Sequence, residues 1–131
     1  MASRLNKILF VEDDPMVAEL AVMAMQEFGG LELHHCIRGA DAVAQFHEFA
    51  PDMLLLDVMM PEMDGPETLR RIRALPNGAA VPAVFMTAKS QAHEQEAYLQ
   101  LGAIGIIPKP FDPLTLPDKL AEYWQQDSSA D

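Results

Sequence analysis

The chain has 131 residues, half of them hydrophobic, and carries 20 acidic against nine basic side chains for a formal charge of −11. That size suits one domain, and the acidity excludes a nucleic-acid partner, whose phosphates need a basic face. A single cysteine, Cys36, excludes an internal disulfide and agrees with a reducing compartment. No apolar run is long enough to cross a bilayer, and the start "MASRLNKILF" lacks the apolar core of a secretion signal, so a cytoplasmic protein without membrane insertion is expected.

In chain order, "KILFV" from Lys7 to Val11 predicts a buried strand. "PMVAELAVMAMQEF" predicts a helix with Val17, Leu20, Ala21, Ala24 and Phe28 on its inner stripe, stopped by Gly29-Gly30. "LELHHCI" predicts a second strand with His34 and His35 on its surface, and "GADAVAQFHEFA" a helix with Val43, Phe46 and Ala50 on one side, ended by Pro51. "MLLLDV" is a third strand, apolar on both faces. "GPETLRRIRAL" is a helix that turns Leu69, Ile72 and Leu75 inward and Arg70, Arg71 and Arg73 to solvent.

"PAVFMTA" predicts a fourth strand, and "SQAHEQEAYLQL" a helix closed by Gly102. "GIIP" is a short fifth strand, and the proline in it suits a sheet edge because it lacks a ladder donor. A last helix carries Leu116, Leu120 and Trp124 and starts at either Asp112 or Thr115. The final residues "QQDSSAD" have nothing to bury and are expected to be disordered. Five strands alternating with five helices predict an α/β fold: a doubly wound, five-stranded parallel sheet with helices on both faces.

In such a sheet all carboxyl ends of the strands meet at one edge, and ligands bind where the strand order reverses. The first strand ends in Glu12-Asp13-Asp14, the third in Asp57 and the fourth in Thr87, while Lys109 follows the fifth. With strand order 2-1-3-4-5 the acidic ends of strands one and three face each other. Two like charges about 4 Å apart cost roughly 4 kcal/mol at an effective dielectric of about 20, so counter-charge is required. Lys109 is one source, and a hard cation such as Mg²⁺ is the other. A carboxylate nucleophile, a metal site, a hydroxyl and a lysine are the parts that phosphoryl transfer uses. One of Asp13 and Asp14 is expected to cap the first helix, ahead of Pro15.

The motifs "VEDD", "LLLDVMMPEMDG", "MTA" and "PKPF", in that order, resemble the receiver domain of two-component response regulators, a flavodoxin-like, CheY-like fold. The resemblance implies a receiver domain over residues 6–125, with 126–131 as a tail. It implies that Asp57 accepts a phosphoryl group from a histidine kinase or histidine phosphotransfer protein. Mg²⁺ would be held by Glu12, Asp13, Asp57 and the backbone carbonyl of Met59, with Asp14 a lesser candidate. Thr87 and Lys109 would contact phosphoryl oxygens, and the Lys109–Pro110 bond would be cis. Thr87 and Ile106 occupy the switch positions, where many members of the family carry an aromatic residue in place of Ile106. Met59 and Lys89 lie where side chains gate attacking water in such a site.

The expected output is contact with a downstream protein through the face of the fourth helix, fifth strand and fifth helix, with no turnover of an external substrate. Onward phosphorelay, or service as the receiver piece of a longer regulator or hybrid kinase, is the alternative. A haloacid-dehalogenase-type phosphatase would want a second aspartate where Met59 stands, and a flavin carrier would want a glycine- and hydroxyl-rich loop where "EDDPM" stands. The four histidines show no ligand spacing, so no zinc site is expected. Met59, Met60 and Met63 flank the acceptor loop and read first as core.

Overall fold

The computed structural model describes residues 4–88 and 91–129; Lys89 therefore lies outside the described residues. Five strands, β1 (Lys7–Val11), β2 (Glu32–Cys36), β3 (Met53–Asp57), β4 (Ala83–Thr87) and β5 (Gly105–Pro108), form one sheet in the order β2-β1-β3-β4-β5, the order on which the expected site depends. Every pairing is parallel. All five residues of β3 and all five of β4 are buried. These central strands are covered on both faces, which is why they read as unbroken apolar runs. Pro108 ends β5 at the sheet edge, where no further strand asks for its missing N–H.

The helices are α1 (Pro15–Met23), continued by a π-helical turn (Ala24–Phe28), then α2 (Gly39–Phe49), α3 (Gly65–Arg73), α4 (Ala92–Gln100) and α5 (Leu116–Ser129). One core layer joins Ile8, Phe10, Met53, Leu55, Val84 and Met86 of the sheet to α1 and α5. The other joins Leu9, Val11, Leu54, Leu56 and Phe85 to α2 and α3.

Several side chains depart from the predicted stripes. Leu20 is 40% and Phe28 52% exposed, while Met25 is fully buried. At Phe28 the π-helical turn is the cause, because its wider winding advances the inward face and hands the core position to Met25. His34 and His35 are half-buried rather than strand surface. The His34 ring lies 5.4 Å from that of Phe49 and its Nε2 meets the Gln45 carboxamide. Arg73 is not part of a solvated face: its guanidinium donates to the carbonyls of Gly78 (2.7 Å) and Val81 (2.6 Å), tying the chain between α3 and β4. Met59 is 64% exposed, so core packing does not explain it.

The start of the last helix resolves the two candidates in sequence. Asp112 caps a preliminary turn, its Oδ1 accepting from Leu114 N–H at 2.9 Å, and the helix proper begins at Leu116 after Thr115. It runs to Ser129, past the residue at which the tail is expected to begin. Extending a formed helix adds a hydrogen bond per residue, so a polar end can follow an anchored start.

Candidate phosphoryl-acceptor and metal site

The site lies on the edge where the carboxyl ends of β1, β3, β4 and β5 meet. Glu12 directly follows β1, and its N–H donates to the Cys36 carbonyl at 3.1 Å, extending the β1–β2 ladder by one step. The next two residues turn into α1. Asp14 is the helix cap, its Oδ1 accepting from Met16 N–H at 2.9 Å and Val17 N–H at 3.3 Å, with Pro15 in the first turn. Asp14 N–H in turn donates to Glu12 Oε2 at 3.1 Å. Of the two aspartates, Asp14 therefore caps, and Asp13 is left to face the site.

Asp57 is the last residue of β3 and is buried. Behind it the loop after β3 closes through Val58 N–H to the Met86 carbonyl (3.0 Å) and Gly65 N–H to the Val58 carbonyl (3.0 Å). A Cβ at Gly65 would stand 2.5 Å from the Asp57 carbonyl oxygen, so glycine is required for α3 to start against the end of β3. Thr87 is buried at the end of β4, and its carbonyl accepts from Lys109 N–H at 2.8 Å. That bond carries the β4–β5 ladder one step past Pro108 and brings Lys109 to the edge. The Lys109–Pro110 bond is cis.

These placements converge. Carboxylate oxygens of Glu12, Asp13 and Asp57 all lie within 4.8 Å of one another. Lys109 Nζ stands 2.6 Å from Glu12 Oε1 and 3.0 Å from Asp57 Oδ1, bridging the acidic ends of β1 and β3. Burial pushes the Glu12 carboxyl up to about 7, against the opposing pull of Lys109 and the Asp14 N–H. The Lys109 ammonium is half-buried, which disfavours its charge, but the two carboxylates outweigh this and hold its pKa above the ordinary lysine value.

Among the described residues, buried Glu12 Oε1 has the ammonium as an ion pair and no well-directed hydrogen bond. Three carboxylates offer hard oxygen donors, and one of them has capacity to spare. The set fits a small hard cation such as Mg²⁺.

Met59 follows β3 by two residues with its side chain in solvent. Ile106 sits inside β5, opposite Phe85 of β4, and is nearly buried. Its carbonyl accepts the Tyr123 hydroxyl of α5 at 3.0 Å, and the Tyr123 ring lies where a Cβ on Gly105 would go. The sequence pattern gives no role to Tyr123 and sets His35 on the strand surface, yet both reach the site's backbone. His35 Nε2 donates to the Glu12 carbonyl at 2.9 Å. The pattern signal for His35 was its place one residue before the end of a strand adjoining β1; nothing local pointed to Tyr123.

Residues 8–121 match the family model described as response regulator receiver domain. The chain is 34% identical over 116 residues to an uncharacterized 14.6 kDa protein of Leptolyngbya boryana, covering 88% of each. It is 34% identical over 105 residues to the transcriptional regulatory protein TrcR of Mycobacterium tuberculosis, covering 80% of this chain and 40% of that one. It spans 23% to 53% of the length of several other curated relatives. Among solved structures, chemotaxis protein CheY4 of Vibrio cholerae superposes with a TM-score of 0.84 at 26% identity, covering 91% of this chain and 98% of that one. The signal receiver domain of a DNA binding response regulator from Colwellia psychrerythraea 34H gives 0.80 at 26% identity, covering 92% and 99%. With the sheet order, the acidic edge and the bridging lysine all in place, the family match over most of its length makes this chain a member of the response regulator receiver domain family of two-component signalling.

Proposed function

We propose that this receiver takes a phosphoryl group onto Asp57 from a phosphohistidine of a histidine kinase or histidine phosphotransfer protein. The observation that carries the reading is the Lys109 ammonium held between Glu12 and Asp57 beside Asp13. A carboxylate oxygen of Asp57 attacks phosphorus in line. The bond from phosphorus to the imidazole nitrogen breaks, and the imidazole leaves with the electron pair. Glu12, Asp13, Asp57 and the Met59 carbonyl would hold Mg²⁺, which when bound would offset charge on the transferring group. Lys109 is placed to follow the charge, exchanging carboxylate contact for a phosphoryl oxygen, and Thr87 donates its hydroxyl to another.

The product adds a charge of about −1.5 to −2 next to Thr87 and Lys109. We propose that α4, β5 and α5 respond as a two-state element, which alters contact with a downstream protein. Ile106 has no ring to report the change, so the backbone of β5 and its bond to Tyr123 carry it. No external substrate is turned over, and the protein works in the cytoplasm. A receiver acting within a longer regulator, or passing its phosphoryl group onward, is the second reading; the short span of this chain on TrcR and similar relatives favours it.

Acetyl phosphate with Mg²⁺ tests the core claim. Intact mass should rise by one phosphoryl group in the parent and not at all in Asp57→Asn or after chelation of the metal. Sustained hydrolysis of phosphate esters would overturn the receiver reading. For the switch, amide shifts with and without beryllofluoride should move in α4 and around Ile106; no movement there removes that face as the output.

A further inference from the structure

We propose that His35 is a positioning residue for the acidic pair: its Nε2–H holds the Glu12 carbonyl and so fixes the backbone that presents Glu12 and Asp13 to the metal. The inference rests on the Mg²⁺ reading above and adds a residue that reading does not use. The β1–β2 ladder ends at the pair Val11 and Cys36. Beyond it Glu12 N–H still finds the Cys36 carbonyl at 3.1 Å, but the Glu12 carbonyl turns to a side chain, His35 Nε2, at 2.9 Å. A carbonyl only accepts, so the proton sits on Nε2 and the tautomer is set by this bond.

The ring itself is held. His35 pairs with Phe10 across β1 and β2, and the two rings lie 5.4 Å apart with a 35° tilt. His35 also borders a groove with Ala18, Val22 and Asp13, so its ring stands between α1 and the acidic edge. Glu12 is thereby fixed at both backbone groups by β2, while Asp14 is fixed by the α1 cap and by Glu12 Oε2. Asp13 lies between two pinned neighbours. Contacts one step out from a metal orient its ligands, and removing one typically weakens metal binding about 10- to 100-fold.

The test is Mg²⁺ titration of the full chain by amide shifts, with thermal unfolding of the metal-free protein alongside. His35→Phe keeps a ring against Phe10 and deletes the donor; His35→Gln keeps a donor at the equivalent reach. His35→Phe should weaken Mg²⁺ at least about tenfold, with His35→Gln recovering most of the loss. A merely structural role would lower the metal-free Tm and leave Mg²⁺ affinity of the folded protein unchanged. A parent that binds Mg²⁺ together with a folded His35→Phe that binds it equally well overturns this proposal alone. A parent that takes no Mg²⁺ overturns the metal reading and this proposal with it. If His35→Phe does not fold, the imidazole nitrogen spectrum of the parent decides. A protonated Nε2 that shifts on adding Mg²⁺ is expected, and a proton on Nδ1 overturns the assignment.

Discussion

Helices α3 and α4 each have nine residues and pack on one sheet, yet they are held very differently. Helix α3 buries Gly65, Thr68, Leu69 and Ile72, and Asp64 caps it by accepting from Glu67 N–H at 2.9 Å. It begins against the Asp57 backbone and ends at the Arg73 clamp. Among the described residues, helix α4 has no buried side chain and no side-chain cap; Tyr98, edge-on to Phe85 at 5.4 Å, is its main apolar foothold. Stability is not uniform across a fold, and elements with few buried contacts open at lower cost. Asp57 is thus backed by a well-packed helix, while the helix that follows Thr87 has few buried contacts to hold it.

The largest expected effect comes from attacking the packed side. Ile72→Ala should lower stability by about 2–5 kcal/mol, whereas Leu99→Ala on α4, at a residue 47% exposed, should stay within about 0.5 kcal/mol. Urea unfolding of both variants checks this, and equal losses would erase the contrast. Amide exchange sharpens it further: α4 should exchange well before α3.

A smaller effect is expected from the cap. Asp64→Ala should cost about 1 kcal/mol in the same urea assay and raise exchange in the first turn of α3. The absence of a side-chain cap on α4 predicts that Gln91→Ala changes little by the same measure.

A pH effect is expected in the same packed layer. Burial pushes the Cys36 thiol up to about 11, with Asp41 adding to it. The folded state therefore prefers the neutral thiol. Its contribution is complete below the ordinary thiol value of about 9 and is lost as pH rises from there through about 11. Urea midpoints measured from pH 8 to pH 10.5 should fall for the parent and fall less for Cys36→Ala. A thiol reagent at neutral pH should react slowly with the folded parent.

Much of the architecture was legible because its causes are local. Apolar runs such as "MLLLD" and "AVFMT" mark strands covered on both faces, and helical stripes such as Leu69 and Ile72 mark the layers over them. Glu12, Asp57 and Thr87 were legible as candidates because a parallel sheet sends every strand end to one edge, so position along the chain becomes position in space. Phe28 misled because a π-helical turn changes the period that the stripe assumes. Arg73 misled because the carbonyls that it clamps, Gly78 and Val81, belong to a turn with no periodic signature.

By itself, then, the sequence determined the number and kind of elements, the parallel sheet and the chemical inventory of its edge, since each follows from spacing between near neighbours in the chain. Only the tertiary structure decided which groups touch. That Lys109 bridges Glu12 and Asp57, that Asp14 caps while Asp13 faces the cluster, and that His35 and Tyr123 reach backbone carbonyls 23 and 17 residues away all depend on distances across strands. Hydrogen bonds and ion pairs act over a few ångströms, and only folding brings such distant parts of the chain within that range.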